Sequence, residues 1–580
     1  MPLQPFTGAL GVKRAAHLLR RAAFGGTKDE IDQFSSLTAA DAIALLFPGN
    51  VPDPLLPLDP ATGLDWINNP SDEGDDTLQG YFKRWLIGQM LGAGVEAAAK
   101  LPYTVREKIV LFFHTHFTTK ESVVNNSRSL YYQNQLFRQF ALDKNELPAV
   151  NLKSMTVKLC VDNAMLQFLD GRLNVRGNPN ENFGRELFEL YTIGRGLEGT
   201  LPPLSEPGDY FSFTEQDVQA AARVLTGFQL DTSFATLDEE TGLPRGAARG
   251  GDNATEHDTD IKQFSDRFDS ATIQPNPDLQ ADIMVTAEEV ALDEIGQLID
   301  LIYSRDETAR HICRKIYRFY VYHEISQELD NTIIADMAET FVNSGYKIQN
   351  VIEDLLASQH FYEGDTGAND NNFGGIIKSP LDLVLTTVNY LEVPIPDYQN
   401  DTANFYEYMA NLLGEMGNQG LDFYEPFEVA GYSAYHQFPI YNRSWISTNY
   451  LTRRYQFVQQ LLEGEMMDDM QLGGIDLIEF IRDRFDNATA SDAESLIIAL
   501  SQYLLPANEN LTFVDDDTSE LTNERLNYFR FAFLFSPQID EDPLGAWTFR
   551  WNNPVDNEVV ENQLQSLFNA MLQSPEYQLM

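Results

Sequence analysis

The chain has 580 residues, 43% hydrophobic and 12% aromatic, a composition that builds a globular core and excludes a disordered protein. Against 40 Lys and Arg stand 87 Asp and Glu, a formal charge of -47, which excludes a nucleic-acid groove and opposes an anionic membrane surface. The two cysteines, Cys160 and Cys313, lie in apolar helical surroundings and read as buried free thiols rather than a disulfide framework.

In chain order the dominant period is helical. Leu10–Phe24 sets Val12, Ala15, Leu18, Leu19 and Ala22 on one side, Gly25-Gly26 stops it, and Thr27-x-x-Glu30 opens the next helix as a capping box. After a Pro/Asp-rich loop at Gly49–Asp76, Leu78, Phe82, Trp85, Leu86 and Met90 mark another helix. Thr104-x-x-Glu107 reads as a second capping box, starting a helix through Ile109 and Phe113 to His114. Helices are expected at Ser127–Leu142, Leu147–Cys160 and Thr214–Phe228, and Leu230–Asp282 as a long irregular acidic excursion. Helical spacing resumes at Ala287–Tyr303, Thr308–His323, Asn331–Asn343 and Ile348–Phe361. Gly364–Gly375 is an oxygen-rich loop without the EF-hand spacing. Beyond it come helices at Leu381–Leu391, Asn404–Gly414, Ser444–Leu462, Ile475–Phe485, Asp492–Leu504, Thr522–Phe533 and Glu561–Leu572. Strand signals are sparse and no repeat is visible, so the expected fold is mainly α, a large multi-helix globular body with long irregular loops. Residues 1–362 and 376–580 form two helical regions, or one continuous domain. Met1–Gly26 shows no targeting segment, and no apolar run is long enough to span a bilayer.

The densest chemistry lies in Asn178–Leu190. As a helix from about Asn180, this stretch sets Phe183, Leu187 and Leu190 on one face and pairs Glu181 with Arg185 at i, i+4. Glu186 and Glu189, three apart, are like charges that call for a cation, a proton or a guanidinium. His114-x-His116 follows an apolar helix; two histidines at i, i+2 share a face only on extended backbone, and would then make a two-ligand metal arm. Near a helix C-terminus they are equally favourable as plain cations. Asp162-Asn163 reads as a capping turn, and His257-Asp258 in the acidic excursion as an acid–base pair or the completion of a metal site. The remaining histidines stand singly and read as packing or surface groups. Motifs of serine hydrolases, phosphate-binding loops, zincins and Cys-x-x-Cys sites are absent from the sequence.

Several segments together resemble the bacterial family named domain of unknown function 1800. They are His17-Leu-Leu-Arg-Arg-Ala-Ala-Phe-Gly25, Arg106-Glu-Lys-Ile-Val-Leu-Phe-Phe-His-Thr-His-Phe117, Asp162-Asn-Ala-Met-Leu166 and Asn180-Glu-Asn-Phe-Gly-Arg-Glu-Leu-Phe-Glu-Leu190. Further along stand Asp217–Phe228, His257-Asp258, Lys378-Ser-Pro380, Glu425-Pro-Phe-Glu-Val-Ala-Gly-Tyr432, Trp445-Ile446 and Ser574-Pro-Glu-Tyr577. Tyr432 departs from the Trp usual after that Gly. The resemblance implies a bacterial protein encoded beside an exported partner of the domain of unknown function 1501 type, and hence an envelope or exterior location.

Two functions fit these residues. In the first, His114, His116, Glu189 and His257 hold a divalent metal that activates water for hydrolysis. Glu186 then serves as acid–base group, Asp258 orients His257 and Arg185 binds an anionic group; a narrower version runs the same groups without metal. In the second, the chain is a non-enzymatic helical scaffold, its histidines and ion pairs fix helix register, and aromatics such as Trp445 and Tyr450 or Trp547, Phe549 and Trp551 form contact patches.

Overall fold

A computed structural model describes residues 3–204, 206–363, 375–464, 466–467, 470–471, 473–506, 511–514, 521–535, 541–553 and 557–580. Helix accounts for 58% of the described residues and strand for 4%, as the hydrophobic period requires. Among the described residues the strands form only two-residue antiparallel pairs. Two of them, Phe228–Gln229 with Ala247–Ala248 and Lys262–Gln263 with Thr272–Ile273, tie down the acidic excursion. The oxygen-rich stretch at 364–374 lies outside the described residues.

Local signals set many helix ends. Thr27 caps Lys28–Ser35 and Thr214 caps Glu215–Val224, both with reciprocal capping boxes, and Thr286 does the same for Ala287–Tyr303. The Thr104 box is a correction: the helix runs Ala97–His116 straight through Pro102, and Thr104 is an interior residue whose hydroxyl donates to the Leu101 carbonyl. Ala97–Lys100 are good helix formers, and the missing N–H of Pro102 costs one hydrogen bond close to the start. Leu147–Asn151 is also not helical; Asn151 caps a shorter helix, Leu152–Leu159. Pro543–Asn552 is a helix the periodicity did not show.

The centre is built around Ala97–His116, buried on nearly every side after Tyr103. It packs on Ser127–Ala141 and, through Lys108, reaches the start of Pro380–Tyr390, where Asp382 accepts an ion pair from Lys108 in a buried setting. Asp75–Met90 packs against Thr402–Asn418 in the same way. Side chains from before and after the 364–374 stretch therefore share one apolar core. Cys160 and Cys313 are free and buried, and burial pushes the Cys160 thiol up to about 12. No helix among the described residues is long and apolar enough to cross a membrane.

Candidate functional site

The histidine pair sits in the last turn of Ala97–His116. Because the helix continues through His116, side chains two apart diverge by about 200°, and the extended backbone that a two-ligand arm needs is not formed. His114 stacks on Tyr424 with ring centroids 4.0 Å apart, and its Nε2 is 3.1 Å from the Tyr432 hydroxyl. His116 turns the other way and donates from Nε2 to the Tyr191 carbonyl at 3.0 Å. Both rings are buried, and burial pushes each down to about 3; Lys315 adds to the effect at His116 and the Tyr191 bond opposes it. Both are neutral imidazoles at pH 7.

The acidic segment begins as expected and ends differently. Asn180 caps Glu181–Glu186, with Phe183 and Gly184 buried against Glu215–Val224. The chain then widens into a π turn, Leu187–Tyr191, whose carbonyls lose their usual partners. His116 takes the Tyr191 carbonyl and His311 the Leu190 carbonyl at 3.2 Å, so two imidazoles close the end of the acidic helix. Gly194 permits this: at φ 64° it lies so close that a Cβ would come within 2.2 Å of His311 Nδ1. Arg185 is committed to Glu215, at 2.6 and 3.1 Å, and to the Tyr210 hydroxyl at 3.0 Å, with Glu181 farther off at 3.4 Å. Glu189 pairs with Arg195 at 2.7 Å. Glu186 is the exception. It forms no hydrogen bond or ion pair with the described residues, and burial first, then the neighbouring Glu189 charge, pushes its carboxyl up to about 7.

His257 lies elsewhere, at the foot of the excursion. Its Nδ1 is 2.9 Å from the Thr226 carbonyl, a close approach that Gly227, at φ 91°, leaves room for. The group facing Nε2 is Glu294, 3.5 Å away on Ala287–Tyr303, whose other oxygen takes an ion pair from Lys262. All three side chains are buried. Asp258 does not orient His257: its carboxylate receives Arg223 Nε at 2.7 Å, and its backbone N–H donates to the Thr226 hydroxyl. Burial opposes ionisation of Asp258, but the hydrogen bonds from Arg223 and the Asp260 N–H, with the Arg223 and Lys262 charges, together outweigh it and hold the carboxyl below its usual range.

The expected groups thus fall into separate places. His116 and the acidic segment meet, but through backbone carbonyls; His114 and His257 join neither each other nor Glu189. Among the described residues no three His, Cys, Asp or Glu side chains gather closely enough to hold a metal ion. Sequence reading gave no role to Glu294 or Lys262, which look like ordinary members of an amphipathic helix or a loop, and read His311 as a packing or surface group, which its burial against the Leu190 carbonyl matches. Glu107, read from sequence as the capping-box partner of Thr104, is instead buried and clasped by Arg138 at 2.6 and 2.9 Å and by Arg106 at 3.1 Å. The one available signal was its place on the apolar side of the Ala97–His116 helix.

The family model described as "Protein of unknown function (DUF1800)" matches residues 17–579. The chain belongs to this family. The match takes in the histidine pair, the acidic segment, His257-Asp258 and the Lys378-Ser-Pro380 stretch, so each of these sits within the DUF1800 region. No curated protein and no solved structure was found to match the chain.

Proposed function

We propose that this DUF1800 protein is a non-enzymatic helical scaffold that assembles with a second protein. The observation that carries the reading is the use of its buried histidines as internal braces. His116 and His311 close the π turn, His257 bonds the Thr226 carbonyl, and His114 lies between Tyr424 and Tyr432. Groups so enclosed hold helices in register and offer little to a substrate. The aromatic patches expected from sequence are partly redrawn: Trp445, Trp547 and Trp551 are core, whereas Phe427, Phe531, Phe535 and Phe549 are exposed, and the Phe531 and Phe535 rings touch. These apolar side chains suit a protein partner. The family resemblance makes an exported protein of the domain of unknown function 1501 type the partner to try, at the envelope or outside the cell.

The second reading is a metal-free acid–base site, and Glu186 favours it. A half-buried carboxyl pushed up to about 7, with no hydrogen bond or ion pair among the described residues, is suited to proton transfer. The test is elemental analysis of the purified full chain, with sedimentation of the chain mixed with its genomically adjacent partner. A defined complex and unchanged thermal stability after chelation are expected. Stoichiometric metal that disappears in His114→Ala/His116→Ala would overturn the scaffold reading and restore the metal-dependent hydrolase.

A further inference from the structure

Beside the core lies a cleft of about 660 Å³ whose wall includes Arg106 and Arg138. Both arginines are more than nine-tenths buried. They grip Glu107 from two sides, which leaves the triad one positive charge in excess. Burial opposes ionisation of Glu107, but Arg138 and then Arg106 outweigh it and hold the carboxyl below its usual range. Arg138 spends Nε and Nη2 on Glu107, and Arg106 spends Nε on Glu107 and Nη1 on the Pro52 carbonyl at 2.8 Å. Arg138 Nη1 and Arg106 Nη2 are buried with no hydrogen-bond acceptor in line among the described residues; the Arg106 guanidinium lies over the Tyr103 ring at 4.5 Å and that of Arg138 over the Trp85 ring at 5.4 Å. A buried guanidinium N–H without an acceptor is costly, and two of them beside a cleft with net positive charge behind them call for an oxyanion.

We propose that this cleft binds a monocarboxylate with an apolar body, its carboxylate held by Arg138 and Arg106. The single excess charge matches a single negative charge. Asp53, Glu146 and Glu240 at the cleft disfavour a multiply charged ligand such as phosphate, and Lys158, the other lining cation, is already taken by Asp238 and Glu240. Val51, Phe140, Leu142 and Val150 give the ligand body apolar surface, and the volume suits a small molecule. Because the free nitrogens are shut off from solvent, the Pro48–Asp53 stretch yields as the carboxylate enters.

Isothermal titration calorimetry of the full chain with hexanoate, and separately with inorganic phosphate, tests this. Hexanoate is expected to bind one to one with Kd below about 1 mM, and phosphate at least about tenfold more weakly. Arg138→Lys keeps a cation on Glu107 but removes the free N–H, and Ala149→Trp adds bulk at a lining residue outside the triad; each is expected to weaken hexanoate at least about tenfold. Should Arg138→Lys fail to fold, Ala149→Trp decides alone. No saturable heat with hexanoate up to about 10 mM, or unchanged affinity in Ala149→Trp, overturns the site. Phosphate binding as tightly as hexanoate overturns the carboxylate assignment.

Discussion

Glu294 Oε1 lies 3.5 Å from His257 Nε2, and this carboxylate, not that of the adjacent Asp258, faces the histidine. Lys262 neutralises the other oxygen, and all three side chains are buried. The acidic excursion is thereby anchored to the helix Ala287–Tyr303 by charge held away from water, while Asp258 faces outward to Arg223.

Removing the Glu294 charge leaves Lys262 buried without its counter-ion. Glu294→Gln is expected to cost about 3 to 5 kcal/mol, the range for one broken partner of a buried pair. Asp258→Asn is expected to cost about 1.5 kcal/mol, the worth of a hydrogen bond to a charged group. Urea unfolding followed by circular dichroism reads both. If Asp258→Asn proves the more damaging, Asp258 is the histidine's true partner.

His114 must stay neutral in the folded state. Its folded value of about 3 lies below the ordinary 6.5, so the unfolded chain takes up a proton first as pH falls. The histidine's contribution is complete above 6.5 and is lost progressively between there and about 3. Between pH 7 and 5 one such group removes about 2 kcal/mol. His114→Phe is therefore expected to lose about 2 kcal/mol less than the wild type over that interval, and equal pH slopes in the two proteins would contradict the assignment.

Glu186 has the opposite sign. Its folded value of about 7 lies above the ordinary 4.5, so its stability is full below 4.5 and is lost as pH rises through about 7. Glu186→Gln is expected to be more stable than the wild type at pH 8, by up to about 1 kcal/mol after allowance for solvent screening. The advantage should vanish at pH 4.5. Thermal unfolding at the two pH values measures it, and a variant less stable at pH 8 would show that the ionised carboxylate has a stabilising partner.

Much of the helical body was legible. Ala287–Tyr303 has the expected ends because its capping box and its apolar stripe agree, and Thr27 and Thr214 start helices for the same reason. Thr104 shows where such signals fail: the pattern is there, but the Ala97–Lys100 turn before it was free to be helical and the surrounding core favoured one long rod. Of the candidate site, the Arg185–Glu181 pair was legible as i, i+4 neighbours at 3.4 Å, yet the stronger partner, Glu215, comes from another helix.

The sequence by itself determined the helical class, the family and the segments rich in polar chemistry, since period, capping and motif are all local in the chain. Only the tertiary structure decided what each polar group meets. His114 and His116 are turned apart by about 100° per residue of helix, and His116, His311 and Glu294 find their partners across long stretches of chain. Ring direction and charge pairing depend on which helices pack together, and the free energy of burying a charge is set by the group opposite it.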